Sequence, residues 1–322
     1  MVVAWETTVA TVAVGVTADV TEFLAAGGLD ALLFSGTDIV KFVMNGLNRG
    51  MILFLVASGL TLIFGLIGLI NFAHGAMLTL GGYVTLVVTL ATGNYWIGLV
   101  LGVLLVAGLG LALERTLLHH LYEDELLGFL ATFGIGLVIE EMIALRWGEQ
   151  TRLIQSPLSG SVSLGGIVYP THRLFVIFVG VAVAVAIGLL LSRTRLGREI
   201  YATAVEEDTA EVLGIDSTRV YTVTFVIGIA LAALAGGLTA PITGMYPTIG
   251  LNYMLIAFLI VIVGGMGSFK GSFVASMLIG QIVSFGSNLV NPTYVNMGVF
   301  LAAMIFIVFR PRGFFGSEGV FE

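Results

Sequence analysis

Residues 47–69 read LNRGMILFLVASGLTLIFGLIGL, a run whose only charge is Arg49 near its start. A helix rises about 1.5 Å per residue, so about 20 apolar residues cross a hydrocarbon core of about 30 Å. Comparable runs follow at 74–92, 95–113, 126–146, 173–192, 219–240, 251–267, 272–290 and 294–310. The chain as a whole is 58% hydrophobic and 10% charged, with a mean hydropathy of +1.07. A water-facing surface needs roughly 25% charged residues, so most of this exterior must face lipid. The expected fold is all-α: a polytopic membrane helical bundle of about eight spans, with seven to nine allowed. The ambiguity is placed on 74–92, which follows Asn71-Phe72-Ala73-His74-Gly75 and contains Gly81-Gly82. It reads as a full span or a re-entrant half-helix.

Composition excludes several functions. There is no cysteine, so disulfides and thiolate metal sites are ruled out. A net charge of -7 leaves no basic surface for nucleic acid. No Gly-x-x-x-x-Gly-Lys-Ser/Thr loop is present, so ATP hydrolysis is not expected of this chain, and no cofactor is implied. Integral membrane catalysis needs convergent titratable groups. The four histidines lie scattered at 74, 119, 120 and 172, and adjacent His119 and His120 point apart on a helix. The 43 glycines, including the Gly46/Gly50 and Gly98/Gly102 pairs, suit close helix contact.

Three regions are expected. Residues 1–43 form an acidic segment, with Glu6, Asp19, Glu22, Asp30 and Asp38 and no basic residue before Lys41. It reads as interfacial, with an extra span as the alternative. Residues 44–312 hold the membrane domain, and 313–322 form a cytoplasmic tail. Arg193, Arg195, Arg198 and Arg219 flank one polar loop, and Arg310 and Arg312 follow the last run. The positive-inside rule puts both places in the cytoplasm of an inner, or cytoplasmic, membrane. Loop 147–172 and, if 74–92 crosses fully, the N-terminus then lie outside. Within 147–172, Ser161–Leu164 and Ile167–Tyr169 around Gly165-Gly166 read as a small hairpin.

The polar loop 196–220 carries the most information. Ala202, Val205, Thr209, Val212 and Leu213 fall at helical spacing, with Glu206, Glu207 and Glu211 on the other face. A helix from about Ile200 to Leu213, stopped by Gly214, is expected. Such a helix either lies in a partner's groove or is a solvated connector.

This loop resembles the coupling loop of branched-chain amino acid ABC transporter permeases. The pattern is Gly197-Arg198, then Ala202 and Ala204, acidic Glu206 and Asp208, Ala210, and Gly214-Ile215. Two further stretches are similar to the family's signatures: Gly59-Leu-Thr-Leu-Ile-Phe-Gly65 leading into Asn71–Gly75, and Val263-Gly-Gly-Met-Gly-Ser268 with Gly271. The resemblance runs in order over residues 44 to 312. It implies a pore subunit that pairs with a second permease, identical or a paralogue, and with two cytoplasmic ATPase subunits. An external solute-binding protein delivers branched-chain or related amino acids. The urea and amide branch of the same family is the near alternative, and an ion-coupled secondary transporter the distant one.

Four further residues are candidates for a translocation path or gate. Asn71 and His74 stand at a helix start, where the alternative is a satisfied cap and a packed interface. Glu140 and Glu141 are carboxylates near the end of a span. Such groups line water or pair with a partner such as Arg146, or are wetted at the outer boundary.

Overall fold

The computed structural model describes residues 34–122, 124–164 and 166–316. Most of the acidic N-terminal segment and the end of the tail lie outside these. Among the described residues, eight helices are long and apolar enough to cross a membrane. In chain order the helices are α1 (Gly36–Ile67), α2 (Ala73–Thr92), α3 (Tyr95–Thr116), α4 (Glu125–Trp147), α5 (Thr171–Arg193), short α6 (Arg195–Val205) and α7 (Glu207–Val212), then α8 (Ser217–Thr243), α9 (Ile249–Gly264), α10 (Phe269–Gly286) and α11 (Pro292–Phe309). A 3-10 turn, Leu118–Leu121, precedes α4, and strands β1 (Ser161–Leu164) and β2 (Ile167–Pro170) pair antiparallel before α5. The expected hairpin is therefore present.

Two expectations change. Helix α2 is 20 residues long, enough to span, whereas α9 has 16 and reaches only about 24 Å. The short element is thus 249–264, not 74–92. Helix α1 also begins at Gly36, with Ser35 accepting the Asp38 amide as its N-cap, and runs unbroken through the boundary drawn at 43/44.

Contacts sort the helix ends into two groups. Tyr169 Oη donates to the Met44 carbonyl, Ser284 Oγ to that of Phe42, and Arg152 pairs with Met245 through backbone bonds. These join the N-terminal end of α1 to loop 147–170 and to the ends of α8 and α10. Burial pushes the Tyr169 phenol up, against the opposing pull of Arg173, so it stays a neutral donor. At the opposite end Leu66, Ile200 and Val220 form a small apolar cluster, and Tyr122 meets Tyr221 edge-on at 5.4 Å. There too the Phe314 and Phe315 amides donate to the Val263 and Gly264 carbonyls. Arg193, Arg195, Arg198, Arg219 and Arg310 gather at this second end. It is called inner below, after the positive-inside rule.

Helix α1 forms the centre, 83% buried over its apolar window, whereas α5 and α11 are 17% buried. Lipid is as apolar as leucine, so the bundle gains little by hiding leucines from it. Small residues that let backbones touch do the packing instead. A Cβ at Gly59 would sit 2.5 Å from the Gly228 carbonyl oxygen, and one at Gly75 2.6 Å from that of Gly250. Thr61 and Ser272 hydroxyls meet at 2.6 Å where α1 packs on α10.

The bundle contains two similar units of opposite sense. Each has a long helix that ends at a glycine of positive φ, Gly68 (φ 74°, ψ −6°) or Gly244 (φ 73°, ψ 176°). A short non-helical stretch follows, then a helix that starts inside the protein. The starts of α2 and α9 meet, and the Gly250 amide donates to Thr79 Oγ1 at 3.0 Å. Irregular backbone at this depth survives because protein encloses it: Leu69, Asn71 and Met245 are all buried. The paired glycines of the two halves are therefore 68 with 75 and 244 with 250.

Candidate functional site

The outer end holds a cavity of about 690 Å³ between α1, α8, α9, α10 and α11. Four of its residues come from α1 at helical spacing: Asn45, Asn48, Arg49 and Ile52. Helix α9 repeats the spacing with Ile249, Asn252, Tyr253 and Ile256. This wall is mixed, with amide, hydroxyl and guanidinium groups set among isoleucines. Arg173, from the start of α5, is anchored: it donates to Asn45 Oδ1 at 2.8 Å while its own carbonyl accepts from Asn48 Nδ2 at 3.1 Å. Arg49 is half-buried and has no hydrogen-bond or ion-pair partner among the described residues. Ser287 Oγ and Asn296 Oδ1 are enclosed without a partner on the same wall. Among the described residues the lining contains two guanidinium groups and no carboxylate.

The inner end holds the elbow of α6 and α7. It is two helices rather than the single helix expected from Ile200. Thr194 caps α6 by accepting the Gly197 amide. The helix breaks at Glu206, whose extended backbone (φ −159°, ψ 98°) also starts α7. Gly214 (φ 85°) ends α7, and the Ile215 amide donates back to the Ala210 carbonyl. Gly197, Ile200 and Thr203 face the bundle. Ala210 is buried too, so this residue of the family pattern shapes the elbow itself and is not on its surface. Arg198, Glu206, Asp208 and Gly214 are exposed, and Ala202, Ala204 and Ile215 half-buried. The tip is apolar: Val205 is 54%, Val212 87% and Leu213 75% exposed.

The remaining candidates lie apart from both places. Asn71 Oδ1 accepts the Ala73 amide at 3.0 Å, and His74 Nε2 meets the Val56 carbonyl at 3.0 Å; both residues are fully buried. They fix the internal start of α2 and do not line the outer cavity. On α4, Glu140 is half-buried and Glu141 exposed, also away from the cavity lining. Glu114 was not singled out from sequence. It is buried near the inner end of α3 and accepts from Tyr122 Oη at 2.9 Å, tying the 3-10 turn to the bundle. Burial, reinforced by Glu114, pushes the Tyr122 phenol well up, so the proton stays on the tyrosine.

The three stretches that carried the resemblance now have places in one membrane bundle: the α1–α2 break, the elbow, and the α9–α10 turn. The profile of the family described as branched-chain amino acid transport system / permease component matches residues 42–308. The chain belongs to this family. Among its relatives, the high-affinity branched-chain amino acid transport system permease protein BraD of Pseudomonas aeruginosa is 29% identical over 294 residues, 86% of this chain and 96% of its own length. LivH of Escherichia coli K12, a permease protein of the same kind of system, is 27% identical over 296 residues with the same coverages. AraH of that organism, an L-arabinose transport system permease protein, matches at 32% over 148 residues, 42% of this chain and 45% of its own length. This family member is thus a multi-pass membrane permease, and the exposed leucines and phenylalanines of α3, α4, α5 and α11 give it the apolar exterior that a lipid environment requires.

Proposed function

We propose that the chain forms one half of the membrane pore of an ATP-driven importer of branched-chain or closely related amino acids. An external binding protein delivers the solute at the cavity end. A second permease, identical or a paralogue, completes the path. Two cytoplasmic ATPase subunits grip the elbows. The chain carries no covalent chemistry in this reading; ATP is consumed by its partners.

The observation that carries the reading is the elbow tip. Val212 and Leu213 stand in the open beside Glu207, Asp208 and Glu211, at the end of a helix pair packed on the central helix through Ile200. Large apolar groups on a cytoplasmic loop are costly in water and gain by entering a groove. Because Ile200 meets Leu66 of α1 and Val220 of α8, a push on the tip reaches the two helices that cross at Gly59 and Gly228. The elbow is thereby a lever on the centre of the bundle.

Reconstitution tests this. The chain, its co-encoded permease and ATPases, and the binding protein are expected to give leucine or valine uptake into proteoliposomes that needs ATP in the lumen. The permease alone is expected to hydrolyse no ATP. Uptake driven by a proton or sodium gradient without ATP would overturn the assignment.

A further inference from the structure

We propose that the outer cavity is a docking station for a zwitterionic amino acid, in which the Arg49 guanidinium takes the solute carboxylate. This deepens the importer reading and rests on it for the identity of the solute. Three features of the wall match the three parts of such a molecule. Among the described residues, Arg49 is a guanidinium without a hydrogen-bond or ion-pair partner, and the cavity it lines contains no carboxylate. A cation is costly near a membrane and is kept where it meets water or an anion, and the planar guanidinium matches a carboxylate with two parallel hydrogen bonds. Arg173 is already held by Asn45, which leaves Arg49 as the available fork. Ser287 Oγ and Asn296 Oδ1 are buried oxygens lacking partners. An unpaired buried acceptor costs about 1–3 kcal/mol, and an ammonium, which only donates, satisfies such oxygens. Ile52, Ile256, Val283 and Phe300 supply the apolar wall for an aliphatic side chain. A volume of about 690 Å³ exceeds what one such solute fills, so water or the partner permease shares the space.

The site is part-buried, and Arg49, Ser287 Oγ and Asn296 Oδ1 have no hydrogen-bond partner among the described residues. It therefore suits transient holding between release by a binding protein and passage inward. A guanidinium also disfavours cationic solutes of the same size, which gives the station a charge filter.

The chain has no cysteine, which makes a direct test available. Asn252 is exposed and lines the cavity, so Asn252→Cys reports occupancy. In the full assembly, labelling of this cysteine by an externally added thiol reagent is measured at millimolar concentrations of three probes: leucine, leucinamide without the carboxylate, and 4-methylpentanoate without the ammonium. Leucine is expected to slow labelling at least about fivefold, 4-methylpentanoate less, and leucinamide not at all. In Arg49→Gln the leucine protection is expected to vanish, and in Arg49→Lys to return in part. Equal protection by leucine and leucinamide with Arg49 intact would overturn the proposal, even if the arginine variants failed to fold. So would undiminished protection in Arg49→Gln, or no protection by leucine in an assembly that imports leucine. Arg49-dependent protection in an assembly that imports no amino acid would instead refute the importer reading and leave the site standing.

Discussion

Gly228→Ile is expected to abolish the folded protein, reducing the monodisperse yield in detergent more than about tenfold. A Cβ at residue 228 would lie 2.8 Å from the Gly59 carbonyl oxygen and 2.7 Å from Ile63 Cδ1. The Ile63 methyl is the end of a side chain and can turn aside; the Gly59 carbonyl belongs to the backbone of the most buried helix and cannot. The two helices would have to separate. Overpacking costs about 1–3 kcal/mol in ordinary cores, and more where backbone must move. Separating helices in lipid recovers no hydrophobic energy to offset that cost. Gly134→Leu is the control, because a Cβ there meets nothing within 4 Å. Gly134→Leu is expected to keep full yield, so that the two variants differ by position and not by glycine loss. Size-exclusion chromatography of both proteins checks this; a monodisperse Gly228→Ile at normal yield would show that the α1–α8 crossing is not the structural centre.

The second large effect separates function from folding. The double substitution Val212→Asp with Leu213→Asp is expected to leave yield and thermal stability unchanged and to cut ATP-dependent uptake below about 5%. Both side chains are mostly solvated in the isolated chain, so the fold loses nothing when they become carboxylates. A docked apolar anchor is worth about 2 kcal/mol or more, roughly thirtyfold in affinity, and two adjacent anchors compound it. Co-purification of the ATPase subunits with the tagged permease should be lost in parallel. Ala210→Trp would also stop uptake, but for a different reason: Ala210 is buried within the elbow, and a large ring there deforms α7 before any partner arrives. Thermal stability distinguishes the two variants.

Much of this was legible in the sequence because lipid imposes a coarse, length-based rule. Among the described residues, long apolar runs located the eight spanning helices and the shorter α9, and the arginines of the elbow and tail supply the expected orientation. What the run-length rule missed was burial. It treated α9 as an ordinary span, although residues 265–267 belong to a glycine turn (Gly265 φ 108°, Gly267 φ 84°) and the helix starts below the outer surface at Ile249. It could not see that Gly68 and Gly244 end corresponding helices, since nothing local marks a positive-φ glycine at a helix end as one half of a repeat. The elbow was read as one helix because the apolar spacing continues through Glu206; the break there is a backbone feature that spacing does not encode. The cavity had a visible signal. Asn45, Asn48, Arg49 and Ile52 share one helical face, and polar residues at that spacing within an apolar helix mark a wet wall. Asn71 and His74 drew notice as polar groups near a break, yet their hydrogen bonds to Ala73 and Val56 are made within the protein.

The central claim is that the elbow is cytoplasmic and held by an ATPase. A single cysteine at Leu213, in a chain that otherwise has none, reads both parts at once with a membrane-impermeant thiol reagent. Labelling is expected in inside-out vesicles, none in right-side-out vesicles, and protection once the ATPase subunits are bound. Labelling from the outside, or labelling indifferent to the ATPase, would contradict it.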